Sequence, residues 1–361
     1  MKKKVKIKDI ALYSKGTQIN GDELLEEAKF DYLNGGIKPS GKWDNANCVA
    51  NTVTISEGGN SCGYVNFMKN PFWCGAHCYF LYDTKIDSKY LYYALKSQQV
   101  RIMKLRSGAC MPNIKKTDLG NFEFVCDDNS IEQKKITHIL DKLECVIEQR
   151  KNEIQVFDEL VKARFVEMFG EEKNKVKMVD ICSIITDGTH ESPKFVNEGI
   201  PFIFVSNISD NKIMYDADKY IDKATYDVLI KRTPIEIGDI ILSTVGSYGH
   251  PAVVKSDKKF LFQRHIAYLK PKREMVNSEY LHTMIMMDYV QHQINLEVKG
   301  IAQKTLNLSA IKSLDVLMPS LSQQNEFAFF KNQVDKSKAV IEKSLKELET
   351  LHASLMQKYF S

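Results

Sequence analysis

The sequence has 361 residues, 43% of them hydrophobic, which is enough for two globular domains of ordinary size plus connecting helices. Its net charge is +4, with 18 Lys+Arg against 13 Asp+Glu in residues 1–127 and 19 of each in residues 171–318, so charge permits nucleic-acid contact without arguing for it. The basic start MKKKVKIKDIALYS leads into no signal-like apolar run, no stretch approaches ~18 apolar residues, and eight scattered cysteines suit reduced thiols; the expectation is a cytoplasmic protein without a membrane segment.

In chain order, VKIKDIALYSKGTQI reads as a short alternating segment ending in a Lys-Gly-Thr turn, with a polar helical piece after it around Glu23–Lys29. FDYLNGG follows as a β-prone run ending at Asn34, and TVTISEGGNSCGYVNF as two strands around a Gly/Ser-rich loop. Cys74 and Cys78, in CGAHC with Cys62 upstream, form the one cluster open to a metal reading, but no second CxxC pair exists and FWCGAHCYFLY reads as a buried strand. Tyr90 then opens a helix.

Residues 130–169 read as one long helix without Gly or Pro. Leu140, Ile147, Ile154, Val161 and Met168 recur every seven residues, with Leu143 and Phe157 between them, which is an apolar seam that needs a partner helix. The order of elements then repeats. VKMVDICSIITDGTH matches the beginning, IPFIFVSNI is a β-prone run ending at Asn207, and DIILSTVGSYGHPAVV matches the two strands around a loop. His265, Ser278 and Tyr280 stand opposite His77, Ser88 and Tyr90; Gly300 stands opposite Gly108, Ile311 near Leu119, and Gln324 opposite Gln133. A second long helix from Gln323 to Phe360 carries Phe327, Val334, Ile341, Leu348 and Leu355 at the same spacing.

The fold class is therefore α+β: two mixed α/β units joined by two long helices that pair antiparallel as a coiled coil, an internal pseudo-two-fold duplication. The expected boundaries are 1–127 for the first domain, 128–170 for the central helix, 171–318 for the second domain and 319–361 for the C-terminal helix. The first helix carries the chain away from the first unit and the last must run back. Two such units suit a long, pseudo-symmetric ligand, which duplex DNA offers as two half-sites about 34 Å apart. At the seam edge, Arg150 and Arg164 are expected to snorkel, or to pair with Glu342, Glu347 or Glu349. Ile139, Val146 and Leu160 form a further seven-spaced line.

The segments from Gly108 through IEQKKITHILDKLECVIEQRKNEI, and from Gly300 through Met318-Pro319-Ser320-Leu321 and Gln324, resemble those of type I restriction-modification specificity subunits, a likeness that covers essentially the whole chain. YLNGGIKPSGKWD is similar to a loop of that family's target-recognition domains. The first copy departs from the pattern, with Cys126-Asp127-Asp128 where a Pro is expected. The resemblance implies a non-catalytic subunit whose two domains each read one part of an asymmetric, interrupted DNA target, at a gap fixed by the paired helices. Its implied partners are double-stranded DNA, two methyltransferase (modification) subunits and translocating restriction subunits. S-adenosylmethionine, ATP and magnesium would belong to those partners, with no cofactor or metal on this chain. The alternatives are a specificity subunit of a related non-type-I methyltransferase-nuclease system, a coiled-coil scaffold that binds proteins rather than DNA, and, third, an enzyme.

Catalytic motifs are near-misses. Gly36 to Lys42 has P-loop spacing, but Trp43 stands where Ser or Thr must hold magnesium. Asn70-Pro71-Phe72-Trp73 lacks the second Pro of the adenine-methyltransferase tetrapeptide and reads as a turn entering an aromatic strand. DNA contacts are expected from loops whose donors and acceptors reach bases or phosphates. In the first half these are Lys38, Lys42, Trp43, Asn60, Ser61, Lys115 and Lys116. In the second they are Thr189, His190, Ser247, Tyr248, Gln263, Arg264, Lys299, Gln303 and Lys304. Gly58-Gly59-Asn60-Ser61 and Gly246-Ser247-Tyr248-Gly249 are expected to be equivalent loops.

Overall fold

The computed structural model describes residues 2–108, 112–300 and 304–361. Gln303 lies outside the described residues. The chain divides into two compact units, Met1–Asn152 with Glu342–Ser361 and Glu153–Ile341, so each unit includes a stretch of both long helices. None of the described helices is long and apolar enough to cross a membrane.

In the first unit the strand Thr52–Ser56 is rich in β-branched residues and buried along its length, and it takes an inner place in an antiparallel sheet ordered Leu12–Lys15, Cys78–Tyr82, Thr52–Ser56, Val65–Met68. Asp87 caps the helix Ser88–Ser97 by accepting the Tyr90 N–H at 2.8 Å, and Tyr90, Leu91, Ala94 and Leu95 are buried on the face packed against that sheet. A smaller sheet runs Gly41–Trp43, Phe30–Leu33, Phe72–Cys74, its first pair antiparallel and its second parallel. Lys2–Lys6 pairs with Glu123–Asp127, and the chain then enters the helix Ser130–Phe169. Ile136 and Leu140 of that helix share one core with Met356 and Phe360 of the helix Leu321–Phe360. Each such side chain contributes about 1.5–3 kcal/mol on burial. The two helical stretches run in opposite directions here: Glu144 lies 3.8 Å from His352 and Lys151 lies 3.1 Å from Glu349. A polar contact fixes the sheet helix to the long one, with Lys89 3.2 Å from Asp141 and the single Tyr93 hydroxyl proton placed between two acceptors, Asp141 at 2.6 Å and Glu144 at 2.9 Å.

The second unit repeats this topology. Its larger sheet is ordered Cys182–Asp187, Ile266–Pro271, Ile240–Ser243, Pro251–Val253, its smaller one Tyr220–Ile221, Ile200–Ile203, Leu261–Phe262, and Lys175–Lys177 pairs with Asp315–Leu317. Asn277 caps the helix Ser278–Met286. A hairpin pairing Ile208–Ser209 with Lys212–Ile213 through Asp210 and Asn211 at φ 48° and 55°, and a helix Lys223–Leu229 capped by Asp222, have no counterpart among the described residues of the first unit. Phe165 stacks on Tyr280 and meets Phe327 edge-on, Phe169 meets both rings edge-on, and again the long helices run in opposite directions, with Arg164 3.1 Å from Glu326 and Lys338 2.5 Å from Asp158. The polar contact of the sheet helix recurs with its charges reversed: Glu279 lies 2.7 Å from Lys331 and 2.8 Å from Lys255.

Of the expected seam, Leu140, Leu143 and Val334 are buried, while Ile147, Ile154, Phe157, Val161, Ile341, Leu348 and Leu355 are half-buried. Several sequence expectations are corrected. The segment 23–29 is not helical beyond a single turn at Gly21–Glu23, because Leu25 exchanges backbone hydrogen bonds with Lys42 and so covers the edge of a short strand. FWCGAHCYFLY is two strands, Phe72–Cys74 and Cys78–Tyr82, broken at Gly75 to His77. Arg164 pairs with Glu167 and Glu326, and Glu349 pairs with Lys151. The long helices have different caps where the sequence copies diverge. Asn129 accepts the Ile131 N–H at 3.0 Å in the first, whereas Ser320 and Gln323 form a capping box in the second.

Candidate nucleic-acid interface

In each unit backbone hydrogen bonds tie the loops beyond the strand ends into one platform, and four of them recur in both. In the first unit these are Thr17 N–H to Cys74 O at 2.9 Å, Glu57 N–H to His77 O at 2.8 Å, Ile114 N–H to Glu57 O at 2.9 Å and Gly59 N–H to Pro112 O at 3.1 Å. In the second they are Thr189 N–H to Phe262 O at 2.9 Å, Thr244 N–H to His265 O at 3.0 Å, Leu306 N–H to Thr244 O at 2.8 Å and Gly246 N–H to Lys304 O at 3.2 Å. These bonds match Thr17 with Thr189, His77 with His265, and Pro112 with Lys304. They match Gly59 with Gly246, at φ 75° and 72°, so the equivalence of the glycine loops begins at Gly59 rather than Gly58. Asn34 corresponds to Phe204, because Gly75 and Gln263 donate to the preceding Leu33 and Ile203 carbonyls; Asn207 lies three residues further on. Gly16 and Gly188 permit a close approach of backbone: a Cβ there would stand 1.8 Å from the Cys74 carbonyl oxygen and 2.3 Å from that of Phe262.

The platform brings several of the expected residues together. Asn60 is exposed beside Ser61, whose hydroxyl donates to the Gly35 carbonyl at 2.6 Å and so joins the glycine loop to the loop that carries Lys38. Trp43 packs edge-on against Trp73 at 6.4 Å, and the Trp73 indole donates to Thr17 O at 2.8 Å. Lys115 follows Ile114 directly, and Lys116 lies 5.5 Å from the Tyr13 ring. Lys38 is an exposed loop residue, and Lys42 is exposed on the outer strand of the small sheet. In the second unit Thr189 bridges Gln263 and accepts the Arg264 N–H at 3.0 Å, while Lys299 bridges Thr305 next to Lys304. Ser247 is exposed, and the half-buried Tyr248 donates its hydroxyl to Asn295 at 2.9 Å in an exposed hydrogen bond.

Two charged groups on the platform were not legible in the sequence. Lys15 reaches Glu57 at 2.7 Å, and the other Glu57 oxygen faces His77 Nδ1 at 3.5 Å. Arg232 donates to Asp187, whose other oxygen lies 2.8 Å from His190 Nε2. Each pair joins residues more than forty positions apart, so local spacing gives no signal of it. Partial burial, and then the Arg264 charge, depress the pKa of His265, which accepts from Arg264 Nε at 3.4 Å and is therefore a neutral acceptor at neutral pH.

The near-miss motifs resolve into structure. Asn70 and Pro71 precede the strand Phe72–Cys74, and the segment with P-loop spacing enters the strand Gly41–Trp43 rather than a helix. Cys48, Cys74 and Cys78 are buried with Leu33 and Phe72. Hydrogen bonding to the Cys48 and Cys78 thiols, and then burial, push the Cys74 thiol far above its ordinary range, away from the thiolate that a metal requires. Among the described residues no group of three His, Cys, Asp or Glu could hold a metal ion.

The sequence profile of the type I restriction modification DNA specificity domain matches residues 2–156 and 170–350. The chain belongs to this family. A Mycoplasma genitalium protein described as a type I specificity subunit is 40% identical over 129 residues, 35% of this chain and 33% of that protein. The EcoBI specificity subunit of Escherichia coli is 26% identical over 169 residues, 46% of this chain and 35% of that one. The matched segment thus spans about a third of the length of each of these relatives. In fold the chain is similar to the S subunit of a type I restriction-modification system from M. genitalium, at TM-score 0.68 and 21% identity over 100% of this chain and 96% of that one. It is also similar to a chain from a study of type I complex assembly, at TM-score 0.54 and 14% identity over 99% of this chain and 97% of that one.

Proposed function

We propose that this chain is the DNA sequence-specificity subunit of a type I restriction-modification system. Its two repeated domains read the two parts of an interrupted, asymmetric duplex target, and the long helices, paired as an antiparallel coiled coil, set the gap between those parts. The chain performs no chemistry itself. It docks two modification subunits, which bring S-adenosylmethionine and methylate adenines, and through them the translocating restriction subunits, which bring ATP and magnesium.

The observation that carries this reading is the duplicated loop platform. The same four backbone bonds recur in both units, while the side chains they present differ: Asn60 and Ser61 in one loop, Ser247 and Tyr248 in the other. A repeated scaffold with unmatched side chains is what a reader of two different sequences requires, since phosphate and backbone contacts position while side chains specify. The half-buried line of Ile139 and Val146, and the exposed Leu160, supply apolar surface on the first long helix for a partner subunit.

The test is to map methylated adenines in the source genome with and without this gene. Loss of one bipartite methylated motif supports the reading. An unchanged methylation map, together with purification as a stable homo-oligomer free of modification subunits, would favour a protein-binding scaffold.

A further inference from the structure

Both platforms carry a cation held by a carboxylate that is itself largely buried. Glu57, with a side chain 11% exposed, holds Lys15, which is 44% exposed; Asp187, at 17%, holds Arg232, at 51%. Each carboxylate also faces a half-exposed histidine, His77 or His190. Because Gly16 matches Gly188, Lys15 and Asp187 occupy the same place at the end of equivalent strands with opposite charge. The second unit nonetheless presents a cation there, from the turn Ile230–Arg232, which has no counterpart among the described residues of the first unit.

Stability does not account for these pairs. An exposed cation contributes little through an ion pair, and sinking its carboxylate partner costs desolvation. Phosphate attraction does not account for them either, because it rewards net positive charge, and each cation is neutralised by its partner. What the arrangement provides is a fixed direction. The Lys15 ammonium has three donors and directs one at Glu57, while Arg232 has five and commits Nη2 to Asp187. Oriented donors of low net charge suit hydrogen bonding to a neutral base edge. In the major groove the edge that takes Lys or Arg is guanine, through O6 and N7.

We propose that Lys15 and Arg232 are specificity-determining residues, each reading a guanine edge in the half-site of its own domain, and that Glu57 and Asp187 are the residues that position them. The assignment rests on the DNA-reading function proposed above.

The experiment selects bound duplexes from a pool randomised across the bipartite target, using the full chain assembled with its modification subunits. Wild type is compared with Lys15→Gln, Arg232→Gln, Glu57→Gln and Asp187→Asn, with thermal melting as the check on folding. Arg232→Gln is expected to lower guanine preference at one position of one half-site by about 10-fold or more and to leave the other half-site unchanged, with Lys15→Gln doing the same in the other half-site. Asp187→Asn and Glu57→Gln are expected to relax the same positions. Equal weakening of all sequences, with the salt slope reduced by about one, would mark phosphate contacts and overturn the assignment. Unchanged half-sites in folded variants overturn it as well. A wild-type assembly with no sequence preference overturns the DNA-reading function and this assignment with it.

Discussion

The buried carboxamide of Gln324 accepts the backbone N–H of Asn277 at 2.9 Å and donates to the carbonyl of Pro319 at 2.9 Å. One side chain thereby joins the cap of a sheet helix to the entry of a long helix. Gln133 repeats the arrangement, accepting from Asp87 N–H at 3.3 Å and donating to Asp127 O at 2.7 Å. Gln324→Leu keeps the volume but leaves both backbone groups without that partner, and it is expected to cost about 2 kcal/mol, read as a lower urea midpoint for the second unit. Gln133→Leu is expected to do the same in the first.

The cluster around Glu279 makes stability depend on acid. Burial alone would raise its carboxyl, but Lys331 and Lys255 outweigh this and hold it at about 2. Its folded pKa lies below the unfolded one, so its stabilisation is complete above about 4.5 and is lost as pH falls toward 2. His282, depressed to about 4 by burial and then by Lys331, is neutral in the fold, and its contribution is lost between pH 6.5 and about 4. The melting temperature is expected to fall through both windows. Glu279→Gln should flatten the lower window and His282→Asn the upper.

Lys331 is 9% exposed and pairs with both Glu279 and Asp335 at 2.7 and 2.8 Å. Lys331→Met leaves Glu279 with Lys255 alone and is expected to cost about 3 kcal/mol in denaturant unfolding. Adding Glu279→Gln should recover part of the loss, a coupling that a double-mutant cycle measures.

Gly188→Ala would drive a methyl group into the Phe262 carbonyl and break the Thr189 bond, and Gly16→Ala would do the same at Cys74. Each is expected to cost about 2 kcal/mol or more. In the assembled complex each should also blur one half-site in a binding selection while leaving the other sharp.

If the long helices act as a spacer, inserting four residues into each should lengthen the gap by about 6 Å, close to two base pairs, while both half-site sequences stay the same. Methylation mapping reads both quantities. A change in the bases recognised, without a change in spacing, would contradict the spacer role.

The duplication was legible because over the approach to each long helix its offset barely drifts, from 192 at Gly108 and Gly300 to 191 at Gln133 and Gln324, and because both long helices lack Gly and Pro. The first helix matches its expected limits at Ser130 and Phe169. The stretch after Gly21 was misread because its polar composition suits a helix surface, whereas the need to cover a strand edge draws Leu25 to Lys42. Thr189, Gln263 and Arg264 were found as loop residues, and the structure brings them into contact. Lys15 and Arg232 were missed because what marks them is a buried carboxylate at a distant strand end, which appears only once the loops have closed.

Lys89 and Glu279 each occupy the second position of matching helices, yet one meets Asp141 and the other Lys331. The halves of this chain, alike in topology, are therefore not interchangeable. A first domain set on the second domain's helical seat would bring Lys89 against Lys331, and the converse graft would bring Glu279 against Asp141 and Glu144. Reversing a docking charge after duplication gives each domain its own address on the helices, so chimaeras that move a domain without its seat should fold poorly unless these charges move with it.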